Sequence, residues 1–155
     1  MKIRLLTIGL WVVVMGLLIL QRFDEKPSLI TRILAVYQEQ GYKAGDTLKR
    51  GQIISTTDGY LQIWLGDQAR VSLAPRTSIE LMRLFDDEMV IRLNRGRILV
   101  STDSQIPLVI RTNQTESLII NAVASFVNYD FLEEIHLIPI EGTIQTNIKS
   151  TGEYL

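Results

Sequence analysis

The chain of 155 residues contains no cysteine. That absence excludes a disulfide scaffold, thiolate catalysis and a lipid-bearing cysteine, and it is compatible with an oxidising compartment. Histidine is nearly absent as well. His136 stands alone in Ile135-His136-Leu137-Ile138, without the carboxylate or nucleophile that a general base serves and without companions at metal-ligand spacing. It reads as a strand residue on the solvent face. Glycine-rich phosphate loops, serine-nucleophile elbows and CxxC pairs are missing too. The densest acidic group, Asp86-Asp87-Glu88, lacks the glycine and the spaced oxygens of a calcium loop, so it reads as a solvated turn. Asn113-Gln114-Thr115 fits the glycosylation triplet, a pattern short enough to arise by chance, and it reads as a turn. No enzyme, metal site or cofactor is expected.

The chain also lacks an excess of either charge, with a formal net charge of -1. The signs are unevenly placed. Arg70, Arg76, Arg83, Arg92, Arg95, Arg97 and Arg111 occupy the middle, whereas Glu116, Asp130, Glu133, Glu134, Glu141 and Glu153 dominate the last third. Acidic residues interleave the basic ones, which disfavours a nucleic-acid partner. The asymmetry suits either a solvated set of strand charges or a polar surface for a partner.

One long apolar run is present. Leu5 to Leu20 carries no charge and Thr7 as its only hydroxyl. As a helix it would span roughly 24 Å, and the stems of Lys2, Arg4 and Arg22 would complete a bilayer crossing. The residues at its end, Leu17-Leu18-Ile19-Leu20-Gln21-Arg22, offer no small-residue cleavage site, so a retained anchor is expected. Lys2 and Arg4 precede the run, which favours a cytoplasmic tail of residues 1–4, a transmembrane helix of residues 5–21 and a body outside the cytoplasm. The chain is thus expected at the cytoplasmic membrane as a single-pass protein. Residues 22–29, with their charges and Pro27, read as a linker.

Beyond the linker, the segment Leu29–Tyr37 fits helical spacing and strand alternation about equally. From Gly51 onward the pattern is β. Short runs alternate with turn residues: Gln52–Thr56, Tyr60–Leu65, Ala69–Leu73, Ser78–Leu84, Met89–Leu93, Arg97–Ser101, Leu108–Thr112, Ser117–Ile120, Ser125–Tyr129, Glu134–Pro139 and Thr143–Asn147. Asp58-Gly59, Gly66-Asp67, Asn94-Arg95-Gly96 and Glu141-Gly142 read as hairpin turns. Leu61, Ile63 and Leu65 share one strand face, Val71 and Leu73 another, and Ile79 and Leu81 a third. The expectation is an all-β domain over residues 30–147, a stacked-hairpin solenoid or a sandwich, followed by a tail of residues 148–155.

Gly45-Asp46-Thr47-Leu48-Lys49-Arg50-Gly51-Gln52-Ile53-Ile54-Ser55-Thr56 resembles the opening of a FecR domain. The stretch from Leu61 to Ile79, with its Gly66-Asp67 turn and Thr77-Ser78 step, resembles the strands that follow. Val90 to Ile98 and Ile138 to Ile144 resemble that family's later glycine-bearing elements. Where the family has Gly-Thr-x-Phe, this chain has Val123-Ala124-Ser125-Phe126. The resemblance implies an all-β domain in the bacterial envelope, which makes the expected membrane the bacterial inner membrane, and it favours a strand for Leu29–Tyr37. Members that regulate iron uptake carry a cytoplasmic sigma-binding domain, which Met1–Arg4 would be too short to supply.

Two surfaces are candidates for binding. Arg83, Arg92, Arg95 and Arg97 crowd the middle strands and suit an envelope protein, because arginine is enriched where forked hydrogen bonds cross an interface. Tyr60, Trp64 and Tyr129 would suit cell-wall glycan if they formed a common aromatic surface. The leading expectation is a non-catalytic envelope module for protein recognition or signal sensing, and the alternative is a glycan-binding module.

Overall fold

The computed structural model describes residues 28–129 and 134–149. The expected anchor and its tail lie outside the described residues, as does most of the linker. Among the described residues no helix is long and apolar enough to cross a membrane.

Ten strands form the body: β1 Thr31–Tyr37, β2 Thr47–Leu48, β3 Ile53–Ser55, β4 Tyr60–Leu65, β5 Ala69–Leu73, β6 Ser78–Leu84, β7 Met89–Thr102, β8 Leu108–Arg111, β9 Thr115–Tyr129 and β10 Glu134–Ile148. The all-β expectation holds, and β4, β5 and β6 have the bounds that their alternation predicts. Period-two burial explains them. Leu61, Ile63 and Leu65 of β4 and Val71 and Leu73 of β5 are buried, while Gln62, Trp64 and Ser72 face outward. The segment Leu29–Tyr37 resolves as a strand because β1 pairs antiparallel with both β2 and β4. Its Thr31 and Ile33 are buried, whereas Arg32 and Leu34 are exposed.

All ten strands belong to one open sheet, in the order β10-β9-β8-β7-β5-β4-β1-β2, with β3 and β6 branching from β7. Two long strands connect its halves. The first part of β7 pairs antiparallel with β6 and parallel with β8. The second part, from Gly96, pairs with β9 and, from Ile98, with β5. β9 divides in the same way, with Glu116–Ile119 against β8 and Ala122–Asn128 against β7. The inward side chains of both halves, from Ile33 and Ile63 to Ile91, Ile110 and Phe126, join one hydrophobic core. The sheet is therefore folded over on itself, and each fully buried aliphatic side chain contributes roughly 1.5–3 kcal/mol through removal from water.

One expectation is corrected. Asn94-Arg95-Gly96 and Glu141-Gly142 are not hairpin turns, and no turn separates Ile120 from Ser125. These positions lie inside continuous strands of 14 residues in β7 and 15 in each of β9 and β10. The glycines do have positive φ, 92° at Gly96 and 77° at Gly142. They lie at irregularities of the ladder instead of reversing the chain, Gly96 just beyond the bulge at Asn94 where β7 changes partner and Gly142 at the register shift opposite the point where β9 does. In β7 the register shifts by one where Arg95 pairs Ser78 but Leu93 pairs Ile79.

Gly96 is irreplaceable on two grounds. Its φ is costly for a side-chain-bearing residue, and an added Cβ would lie 2.5 Å from the Thr77 Cα and Oγ1. At Gly41 the φ is +87° but nothing lies within 4 Å. Gly96→Ala is expected to lower unfolding free energy by at least about 2 kcal/mol, and Gly41→Ala by only about 1 kcal/mol, the strain alone. Urea titration of the two variants checks this, and equal losses would show that the packing against Thr77 is unimportant.

Candidate functional site

The bend of β7 is where the fold places its most unusual polar groups. A strand that leaves one neighbour for another strips hydrogen-bond partners from its backbone, and those groups are buried here. Two side chains, of Thr77 and Asn128, replace the partners, and a third, of Thr56, secures Thr77. Thr77, fully buried, accepts a hydrogen bond from the Arg97 N–H at 3.0 Å and donates toward the Arg97 carbonyl at 3.1 Å. Thr56 Oγ1 accepts from the Thr77 N–H at 3.0 Å and donates to the Ala74 carbonyl at 2.6 Å. From the opposite flank, Asn128 Nδ2 donates to the carbonyls of Leu93 at 2.9 Å and Asn94 at 3.0 Å.

These bonds fix the turn between β5 and β6 against the bend. Arg76, at its tip, has a φ of 58°, a left-handed conformation uncommon for a side-chain-bearing residue. It is held there by its N–H, which donates to the Thr57 carbonyl at 2.8 Å. A cleft of about 710 Å³ opens between Ala74–Arg76, the Arg95–Arg97 bend and the end of β9 at Val127–Tyr129. A smaller hollow of about 370 Å³ lies beside it, reached by Arg76, Arg95, Thr57 and Asp58. Arg76, Arg95 and Arg97 are all exposed. The ion pairs among the described residues are Arg83 with Glu88 at 2.9 Å and Arg111 with Glu116 at 2.8 Å, so none of these three guanidiniums is neutralised by a described carboxylate.

The four arginines singled out from the sequence therefore fall into two groups. Arg95 and Arg97 line the cleft. Arg83 is paired with Glu88, and Arg92 donates to Asn113 Oδ1 at 3.0 Å on the far side of the bulge. Arg76 joins the cleft without having been a candidate. Its position in Ala74-Pro75-Arg76-Thr77 was visible, but nothing in that tetrapeptide reveals which strand crosses beneath it.

The aromatic residues do not share one platform. Tyr60 is exposed, with its ring centroid 6.4 Å from that of Tyr37. Trp64 lies four residues further along β4, roughly 13 Å away. It is half-buried, opposite Arg32 on β1, and the Arg70 guanidinium sits 5.8 Å from its ring. Tyr129 lies three strands from β4, where its ring meets the edge of His136 at 6.1 Å and forms a wall of the arginine cleft. His136 is on the exposed side of β10. Among the described residues no group of three or more His, Cys, Asp or Glu side chains converges as a metal site would require.

No family profile matches this chain, and curated proteins give no significant match. Solved structures do. Two crystal structures of a candidate anti-sigma factor from Parabacteroides distasonis, at 1.65 and 2.50 Å resolution, each superimpose with a TM-score of 0.56, at 18% and 16% identity. This chain shares their fold. The match covers 64% of this chain and 49% and 48% of the two structures, so the chain corresponds to about half the length of that anti-sigma factor.

The loop that walls the smaller hollow is held by one carboxylate. Glu39 accepts hydrogen bonds from the Thr57 N–H at 2.8 Å, the Thr57 hydroxyl at 3.0 Å and the Gly59 N–H at 3.1 Å. Partial burial acts to raise its pKa, but these bonds together outweigh it and hold the carboxyl below its ordinary value of 4.5. A depressed folded pKa means that the stabilisation is complete above the ordinary carboxylate range and is lost as pH falls through it. Glu39→Gln is therefore expected to be less stable than the native chain at pH 7, with the gap narrowing as pH falls below about 4.5. Thermal unfolding of both proteins across that range checks it, and a gap independent of pH would show that the charge is not what holds the loop.

Proposed function

We propose that this chain is a non-catalytic recognition module of a bacterial signalling system, a FecR-like β domain anchored in the inner membrane with its body outside the cytoplasm. The observation that carries this reading is the fold it shares with the candidate anti-sigma factor. The FecR-like sequence elements support it from inside the molecule. Thr56 and Thr77, which belong to the resembling stretches, are the buried hydroxyls that secure the bend of β7. The resembling stretches thus include residues on which the fold depends.

The partner is an envelope protein, and its docking surface is the cleft of Arg76, Arg95 and Arg97. Arginine beside tyrosine and an apolar wall is the composition of protein interfaces. Guanidiniums carried on a hydrogen-bonded bend, with no ion pair to a described carboxylate, keep their forked donors for a partner's carboxylates or carbonyls. Tyr60 and Trp64 stand roughly 13 Å apart on β4 and Tyr129 lies three strands away on β9, a dispersal that favours this reading over a glycan platform.

Topology and docking are tested in the native host. Protease added to intact spheroplasts is expected to degrade the body, and protection until the membrane is lysed would overturn the orientation. In the full chain, replacing Arg76, Arg95 and Arg97 together by serine is expected to reduce photocrosslinking from the cleft to its envelope partner at least tenfold, while Arg83→Ser leaves it unchanged. Undiminished crosslinking in the triple variant, with cell-wall binding lost on Trp64→Ala, would overturn protein recognition in favour of glycan.

A further inference from the structure

The two borders of the sheet are treated differently. At one border lie β2, of 2 residues, and β3, of 3. Edges so short offer little template for another strand. The other border is β10, of 15 residues, which among the described residues pairs with β9 alone. Its first part is guarded. Pro139 has no N–H to offer, Glu134 and Glu141 are charged, and register shifts flank Glu141. From Gly142 to Ile148 there is no charged residue and no proline, and the pairing with β9 from Thr143 to Ile148 is regular.

The register shows which backbone groups face outward. The Lys149 N–H donates to the carbonyl of Gln114, the residue directly opposite, at 2.7 Å, so that pair occupies a hydrogen-bonded position of the ladder. Antiparallel ladders alternate bonded and non-bonded pairs. Thr143, Gln145 and Asn147 therefore bond to β9, and Ile144, Thr146 and Ile148 direct their N–H and C=O groups to the open edge. The side chains of this second set lie toward the core side. Ile144 packs against the core, and Thr146 Oγ1 bonds the buried Ser117 hydroxyl at 2.9 Å. Ile148 follows on the same side but is 80% exposed, past the rim of the core.

We infer that this edge is the seat of a second copy of the chain, paired antiparallel through Ile144, Thr146 and Ile148. A twofold axis at Thr146 satisfies every constraint at once. Thr146 faces Thr146 of the second copy, and Ile144 faces Ile148 of the second copy on either side. All three are outward-bonding pairs, so the ladder closes with about six hydrogen bonds, two per pair. The exposed Ile148 is then brought to roughly 5.5 Å from Ile144, Cα to Cα, and the core continues across the seam. No like charges meet along Gly142–Ile148. Self-complementarity of this kind is what an isologous interface requires, and a partner of unrelated sequence has no reason to match the Ile144/Ile148 spacing.

The test uses the full chain in mild detergent. Because the native chain has no cysteine, Thr146→Cys introduces a single thiol at the proposed axis, and Asp67→Cys places one in the β4–β5 turn as a reference. A short bismaleimide is expected to convert the Thr146→Cys protein to a species of twice the mass and to leave the Asp67→Cys protein monomeric. Ile148→Lys, at a position too exposed to matter for the monomer fold, is expected to weaken dimerisation at least tenfold in sedimentation equilibrium. A native chain that sediments as a monomer would overturn the inference. So would a dimer that survives Ile148→Lys unchanged, which would place the interface elsewhere, or a Thr146→Cys adduct in host membranes with a mass other than twice the chain's, which would make the occupant a different protein.

Discussion

The hydroxyl of Thr77 against the backbone of Arg97 is the contact on which this molecule turns. β7 has to leave β6 and meet β5 without exposing its polar backbone to an apolar interior. A buried N–H or C=O without a partner costs roughly 1–3 kcal/mol. The chain meets the requirement with two threonines, one asparagine and a glycine, each within hydrogen-bond or van der Waals reach of the bend. The fold-over of the sheet, the single core beneath it and the cleft above it all follow from that junction. The backbone that carries the arginines of the cleft is held by these bonds, so a partner would order their side chains but not the chain beneath them.

How much of this was legible beforehand depends on which physical signal each element rests on. β4, β5 and β6 rest on side-chain alternation, a local signal, and their limits could be read directly. The long strands could not, because glycine with positive φ serves a hairpin turn and a bulge equally well. Gly96 and Gly142 announce the backbone geometry but not whether the chain reverses. The outcome is set by partners far away in sequence, Thr77 for one and Asn121 for the other, whose φ is itself positive at 47°. β1 was undecided for the same reason, since its alternation becomes unambiguous only against β4.

The arginine surface divides along similar lines. A sequence cluster of four residues became two sites because the bulge at Asn94 separates Arg92 from Arg95 and turns them toward different neighbours. Arg76 arrived by topology alone. The spacing of Tyr60 and Trp64 was readable from one strand, but the position of Tyr129 depends on how many strands intervene, and that number is a property of the whole sheet.

The role of β7 also bears on the order in which the molecule can be made. Without β7, the ladders available are β2-β1-β4-β5, β3-β6 and β8-β9-β10, and the first two are linked through residues outside the strands, such as Leu29, whose N–H donates to the Leu84 carbonyl. Each fragment on its own presents an unfinished border. Completing the sheet requires β7, whose pairing brings together segments distant along the chain, the kind of contact that slows folding. As it is made from its N-terminus, the chain passes through a stage in which two incomplete sheets wait for the strand that clasps them, the stage at which a holding chaperone would have most to protect.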